Sequence, residues 1–202
     1  MELFYSPTSP YVRKVMVLLH ETGRLNDVQL VPTHGTPLAP AKGFAAQNPL
    51  SKVPALARPD GATLYDSRVI CQYLDARAKS GLYGNDNSRW DILTLEATAD
   101  GILDAAILMV YETRLRPVDK QFHDYIEAQW HKIANAIAAL EARWIANLEG
   151  PISMGQIAVA CALGYVDFRH DDRGWRQSAP LLDDWYAGFA ARDSMTATIP
   201  PK

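Results

Sequence analysis

Two serines in the first half of this chain stand where a hydroxyl and a helix start coincide. The first lies in Leu3-Phe4-Tyr5-Ser6-Pro7-Thr8-Ser9-Pro10-Tyr11-Val12-Arg13-Lys14. Ser9 reads as an N-cap and Pro10 as the first helical residue, where its fixed φ is pre-organised and its missing N–H costs nothing. The unpaired N–H groups and the dipole at such a start both favour negative charge, which makes this turn an anion site. Ser67, which follows Asp66, repeats the arrangement of cap, helix start and exposed N–H groups. Asp66 also has a plain explanation as a first-turn acid favoured by the dipole. Other chemistries find less footing. His20, His34, His123, His131 and His170 show no metal spacing, and Cys71 and Cys161 form no Cys-x-x-Cys or zinc pattern, so no metal is expected. There is no Gly-rich phosphate loop and no serine-hydrolase elbow.

The elements that must position these serines are legible in outline. Residues 1–5 read as a buried strand, and Val12, Val15, Met16 and Leu19 follow at helical spacing. The segment Asn48-Pro49-Leu50-Ser51-Lys52-Val53-Pro54-Ala55-Leu56 precedes a short strand, and Pro59-Asp60-Gly61 supplies hairpin chemistry. The returning strand ends in Leu64-Tyr65-Asp66-Ser67-Arg68, and Val69, Ile70, Tyr73 and Leu74 open another helix. The order β, α, β, α, β-hairpin, α predicts a thioredoxin-like α/β domain over 1–78. Ser80, Gly81, Gly84, Asn85 and Asn87 break the periodic patterns and mark 79–88 as a linker. From 89 to 202 the chain reads as an all-helical bundle that ends in a loose tail, Thr196 to Lys202. Ile92, Leu95, Ala99, Ile102, Ala106 and Met109 form one apolar seam; Ile126, Trp130, Ile133, Ile137, Leu140 and Trp144 form a second, as helices of a bundle require. A third helix starts with Ser153 as N-cap, Gln156 at N3, and Ile152 and Ile157 at staple positions. Because Ile157 to Leu163 is apolar on every side, this helix belongs at the centre of the domain. Trp130, Trp144 and Trp185 read as core or boundary packing.

Composition narrows the class. The 202 residues are 48% hydrophobic and 21% charged, with a net charge of −3, so no basic face invites nucleic acid. No apolar stretch approaches the length of a membrane span. The chain opens on a strand rather than a secretory leader. Two distant cysteines suit a reduced, cytoplasmic setting.

Ser9-Pro10-Tyr11, Val53-Pro54 and Asp66-Ser67, together with Gly150-Pro151-Ile152-Ser153-Met154-Gly155-Gln156-Ile157-Ala158, resemble the glutathione S-transferase family over most of the chain. The resemblance implies a detoxifying transferase with glutathione as co-substrate and a small electrophile as its partner, working as a homodimer. It implies a cis Pro54, although only about 5–6% of X-Pro bonds are cis. The exposed main chain of Val53 then pairs with the cysteinyl unit as an added strand. Lys52 approaches the glycyl carboxylate, Ser67 holds the γ-glutamyl carboxylate, and Asp66 opposes its ammonium group. The electrophile pocket falls between Tyr11, Tyr111 and Tyr165, which packing alone explains equally. Glu96, Asp100 and Asp104 read as a solvated helix face, or as an edge of the dimer cleft. Where the family usually has aspartate, this chain has Gln156.

Within that resemblance Ser9 is the candidate that stabilises the thiolate of glutathione, and Tyr5, at the end of the first strand, is the alternative. In the Cys-Pro-Tyr-Cys pattern of glutaredoxin-like sites, Ser9 takes the first cysteine position and Val12 the second. With neither sulfur present, a mixed disulfide with the protein has no partner here. Conjugation, or peroxide reduction by glutathione itself, is the remaining chemistry; the alternative readings are a glutathione-dependent peroxidase, dehalogenase or isomerase, and a non-catalytic transferase-like binding or regulatory module.

Overall fold

Strand β1 (Glu2–Tyr5) is flanked on both sides in a four-stranded sheet of order β2-β1-β3-β4. The computed structural model describes residues 1–201; Lys202, where the expected tail ends, lies outside the described residues. Helix α1 (Pro10–Glu21) carries the chain over to β2 (Gln29–Pro32), which pairs parallel to β1 with Phe4 opposite Val31. Strand β3 (Ala55–Arg58) runs antiparallel to β1 with Phe4 opposite Ala55. Pro59 and Asp60 then turn the chain into β4 (Gly61–Leu64), with Arg58 opposite Gly61. Helix α2 (Ser67–Ala78) packs beside α1. Leu3, Val15, Leu18, Leu19, Leu56 and Ile70 are all shut off from solvent. Each such side chain contributes about 1.5–3 kcal/mol by leaving water.

The helix expected between β2 and the hairpin is absent. Residues 33–51 form turns and a single 3-10 turn, Phe44–Ala46. Gly35, Pro37, Pro40, Gly43 and Pro49 punctuate the segment too densely for two helical turns to run unbroken, and Gly43 sits at φ 76°. Asn48 organises the approach to β3. Its Oδ1 accepts from the Leu50 N–H at 3.0 Å and its Nδ2 donates to the Lys52 carbonyl at 2.7 Å.

The remaining elements are helical: α3 (Arg89–Arg114), α4 (His123–Arg143), the single turn α5 (Ile145–Leu148), α6 (Met154–His170), α7 (Pro180–Ala190) and the single turn α8 (Asp193–Thr196). Every residue from Ile157 to Leu163 is fully buried, as a helix apolar all round requires. Gly155 is the point of closest approach to α3: a Cβ there would stand 2.9 Å from the Leu95 side chain. The capping box at Ser153 is complete, with Ser153 Oγ accepting from the Gln156 N–H and Gln156 Oε1 accepting from the Ser153 N–H. The amide of Gln156 goes further, with its Nε2 lying 2.8 Å from the Leu148 carbonyl and 3.0 Å from that of Gly150. An aspartate could not donate there.

The chain separates into two compact units. One comprises Met1–Tyr83 together with the residues from Asp193 onward; the other is Gly84–Arg192. The C-terminal residues therefore join the sheet unit instead of the helices to which their position in the sequence assigns them. Arg13, buried in α1, holds them there by donating to the Met195 carbonyl at 3.0 Å and to Thr198 Oγ1 at 3.3 Å. Glu21, at the end of α1, accepts from Ser194 Oγ. In the helical unit, Glu96 and Asp100 are buried and only Asp104 is exposed, so these three acids do not form a solvated face. No helix of the described residues is long and apolar enough to cross a membrane.

Candidate active site

Strand directions decide what gathers at one end of the sheet. Strand β1 ends at Tyr5, one residue past Phe4, which lies opposite the start of β3 at Ala55, and the end of β4 at Leu64 lies opposite Leu56. The turn after β1, the approach to β3 and the exit from β4 therefore share one edge of the sheet. Those segments carry Ser9, Val53 and Asp66-Ser67.

Ser9 is the N-cap of α1, in extended conformation at φ −82° and ψ 121°, and its Oγ accepts from the Val12 N–H at 3.3 Å. That bond uses a lone pair and leaves the hydroxyl proton free to donate. Tyr5 is half-buried on β1. Lys52 is exposed, and its carbonyl is held by Asn48. The Val53–Pro54 peptide is cis. Among the described residues, neither the N–H nor the C=O of Val53 is engaged in a hydrogen bond. The role of Asn48 was not legible from its type alone; its signal was the Asn-Pro pair before the strand, which favours an Asx turn.

At the second helix start the expected order is reversed. Asp66, not Ser67, is the N-cap of α2: its carboxylate accepts from the Arg68 N–H at 3.0 Å, and Ser67 is the buried first helical residue. A carboxylate serves this role as well as a hydroxyl does and adds the attraction of the helix dipole. The Tyr65–Asp66 peptide is also cis. Arg68 folds back on Asp66, Nη2 to Oδ2 at 2.8 Å. Burial pushes the Asp66 carboxyl up, but the hydrogen bonds and charge of Arg68, with the charge of the wholly buried Lys14 behind, outweigh it and hold the carboxyl below its ordinary range. Asp66 is therefore an anion throughout the neutral range.

The three tyrosines divide between the units. Tyr11 is half-buried on α1, whereas Tyr111 on α3 and Tyr165 on α6 are electrostatic neighbours in the helical unit. Burial raises both of the latter phenols above their ordinary value, so each is protonated at neutral pH. Cys71 and Cys161 are buried and stand outside any disulfide. Among the described residues, no group of three or more His, Cys, Asp or Glu side chains could hold a metal ion.

Known proteins share this arrangement. The glutathione S-transferase N-terminal domain matches residues 8–77 and the C-terminal domain of that family matches residues 124–188. The Escherichia coli (strain K12) protein named uncharacterized GST-like protein YibF is 33% identical over 206 residues, spanning 100% of both chains. The chain belongs to the glutathione S-transferase family. A solved glutathione transferase family member from Pseudomonas fluorescens Pf-5, with bound glutathione, is 49% identical over 100% of this chain and 99% of its own, with a TM-score of 0.96. One from the same organism with bound S-(propanoic acid)-glutathione is 48% identical over 100% of both chains, with a TM-score of 0.92. A Methylobacillus flagellatus KT glutathione S-transferase with glutathione bound is 37% identical over 99% of both chains, with a TM-score of 0.85. The fold is accordingly that of a transferase: a thioredoxin-like domain and a helical C-terminal domain.

Proposed function

We propose that this protein is a glutathione transferase that ionises the thiol of glutathione and directs it at a small electrophile. The observation that carries the reading is the meeting, at one sheet edge, of the Ser9 cap, the unengaged Val53 main chain and the start of α2. The glutathione carried by the Pseudomonas and Methylobacillus relatives supports the same ligand here. The thioether carried by the second Pseudomonas structure has the form of a conjugation product.

Glutathione lies along the sheet edge as an added strand, exchanging main-chain hydrogen bonds with Val53. Ser67 and the N–H groups that open α2 receive the γ-glutamyl carboxylate. Asp66 faces the ammonium group, and Lys52 reaches the glycyl carboxylate. The sulfur rests at the start of α1, where Ser9 donates its hydroxyl proton to it. A free thiol titrates at about 8.5, which leaves only a few per cent as thiolate at neutral pH. A hydrogen bond to a charged group contributes about 1.5–3 kcal/mol and a helix terminus about 0.3–1 kcal/mol. At about 1.4 kcal/mol per pH unit, together they bring the thiol to about pH 6 or 7. The proton goes to solvent. The thiolate then forms the C–S bond while the displaced group leaves with its electron pair, or while a proton from water quenches the carbanion of an addition. Two buried cysteines outside any disulfide suit a cytoplasmic setting, and the family supports a homodimer.

Titration of the protein with glutathione, followed by thiolate absorbance against pH, tests the reading. We expect binding and a bound-thiol pKa at least one unit below that of free glutathione. No binding at millimolar glutathione would reduce the protein to a scaffold that keeps the fold alone. Turnover of an organic hydroperoxide without turnover of a chloronitroaromatic would move the reaction from conjugation to peroxide reduction.

A further inference from the structure

The segment that leads into β3 is fastened to the sheet and to itself up to the residue it delivers. Phe44, in the 3-10 turn, is buried and packs against Phe4 of β1 with ring centroids 5.4 Å apart. Gln47 Oε1 accepts from Thr63 Oγ1 on β4 at 3.0 Å, a second tie to the sheet. Asn48, 2% exposed, follows. Its N–H donates to the Phe44 carbonyl at 3.0 Å, and its own carbonyl accepts from the Ser51 N–H at 2.8 Å. Its Oδ1 takes the Leu50 N–H at 3.0 Å and its Nδ2 grips the Lys52 carbonyl at 2.7 Å. Inside this loop Ser51 stands at φ 51°, in the left-handed region that residues other than glycine rarely enter. Such a conformation persists only where its surroundings over-determine it, and it recurs where proteins clamp ligands. The next main chain in line is that of Val53, whose N–H and C=O carry no bond among the described residues.

We propose that Asn48 is a positioning residue for glutathione: by gripping the Lys52 carbonyl it aims the Val53 N–H at the main chain of the ligand. This rests on the proposed glutathione chemistry for its ligand. The Lys52–Val53 peptide is planar and trans, so its carbonyl and its N–H point in opposite directions. The bond from Asn48 on one side therefore fixes the donor on the other. Without that bond the peptide plane turns among several orientations. Only the molecules that hold the right one bind, and the apparent dissociation constant rises in proportion. None of the bonds of Asn48 reaches the Ser9 turn, so ionisation of the thiol is independent of it.

Asn48→Asp keeps an acceptor for the Leu50 N–H but sets a carboxylate oxygen where the donor stood, so the Lys52 carbonyl is repelled instead of held. Calorimetry of the full chain with glutathione should give a dissociation constant about 10- to 50-fold above that of the parent. The pKa of the bound thiol, read by thiolate absorbance at saturating glutathione, should keep its parental value. Asn48→Ser lacks the donor without adding charge, and a smaller loss of about 5- to 10-fold is expected. Melting temperatures check that each variant is folded. Thr63→Val is the control: it cuts the other tie of the same segment, and its glutathione affinity should match that of the parent even where its melting temperature falls. An equal loss of affinity in Thr63→Val and the Asn48 variants means that binding follows the stability of the segment, and overturns the inference. So does parental affinity in both Asn48 variants, or a thiol pKa that rises together with the dissociation constant; each leaves the glutathione chemistry standing. Absence of any heat when the parent meets glutathione overturns both.

Discussion

At the scale of single residues, the proposed chemistry separates ionisation of the thiol from retention of the ligand. Ser9→Ala removes the donor to the sulfur but none of the main-chain contacts. Turnover should fall at least tenfold and the bound-thiol pKa rise by about one unit, while the glutathione dissociation constant stays within a few-fold. The same change deletes a helix cap, worth about 0.5–2 kcal/mol of stability in urea unfolding. Tyr5→Phe should leave turnover nearly unchanged; if it abolishes turnover and Ser9→Ala does not, the phenol is the donor. Ser67→Ala is expected to act in the opposite way, weakening glutathione several-fold with little change in the turnover of saturated enzyme. Asp66 has a pH signature. Its folded carboxyl lies below the ordinary 3.8, so its pairing with Arg68 stabilises the fold above that value and is lost as pH falls through the folded value. Stability curves of Asp66→Asn and the parent should therefore run parallel above about pH 5 and converge in stronger acid.

Among the elements, the start of α6 shows what a sequence pattern can and cannot convey. The Ser-x-x-Gln spacing disclosed the capping box because both bonds are local. Nothing in the spacing disclosed that the amide of Gln156 also reaches the carbonyls of Leu148 and Gly150, since those depend on how the preceding turn folds back. Gln156→Ala should cost about 2–4 kcal/mol by combining loss of the cap with stranded buried carbonyls. Gln156→Asp should recover the acceptor but not the donors, giving an intermediate urea midpoint and unchanged glutathione affinity. Gly155→Ala tests the neighbouring contact: its methyl would press on Leu95, a crowding expected to cost about 1–3 kcal/mol in the same assay. The two helix starts of the sheet unit were legible to different degrees. Ser9 was readable because proline fixes the residue that follows a cap. At Asp66-Ser67 both residue types can cap, and only the backbone path out of β4 decides between them. The burial of Glu96 and Asp100 was hidden for a related reason, since like charges at helical spacing say nothing about what packs over them.

On the scale of the whole molecule, the alternation of strands and helices, the hairpin and the long helical seams could be read from periodicity. The segment 33–51 could not, because its glycines and prolines allow many paths and only the sheet edge selects one. The return of the last residues to α1 was equally invisible: it depends on Arg13, whose place on a helix says nothing of partners as distant in sequence as Met195 and Thr198. Arg13→Ala should lower the urea midpoint by an amount equivalent to about 2–4 kcal/mol, through packing lost and polar groups left buried and unpaired. A midpoint within error of the parent would show that the clasp is dispensable. The two-part composition of the sheet unit also constrains how the polypeptide is made. A nascent chain that has emerged only as far as Tyr83 has all four strands but lacks the clasp, and more than a hundred further codons must be read before the missing piece leaves the ribosome. The unit that carries the proposed glutathione site thus begins to be made before the helical unit and is completed after it.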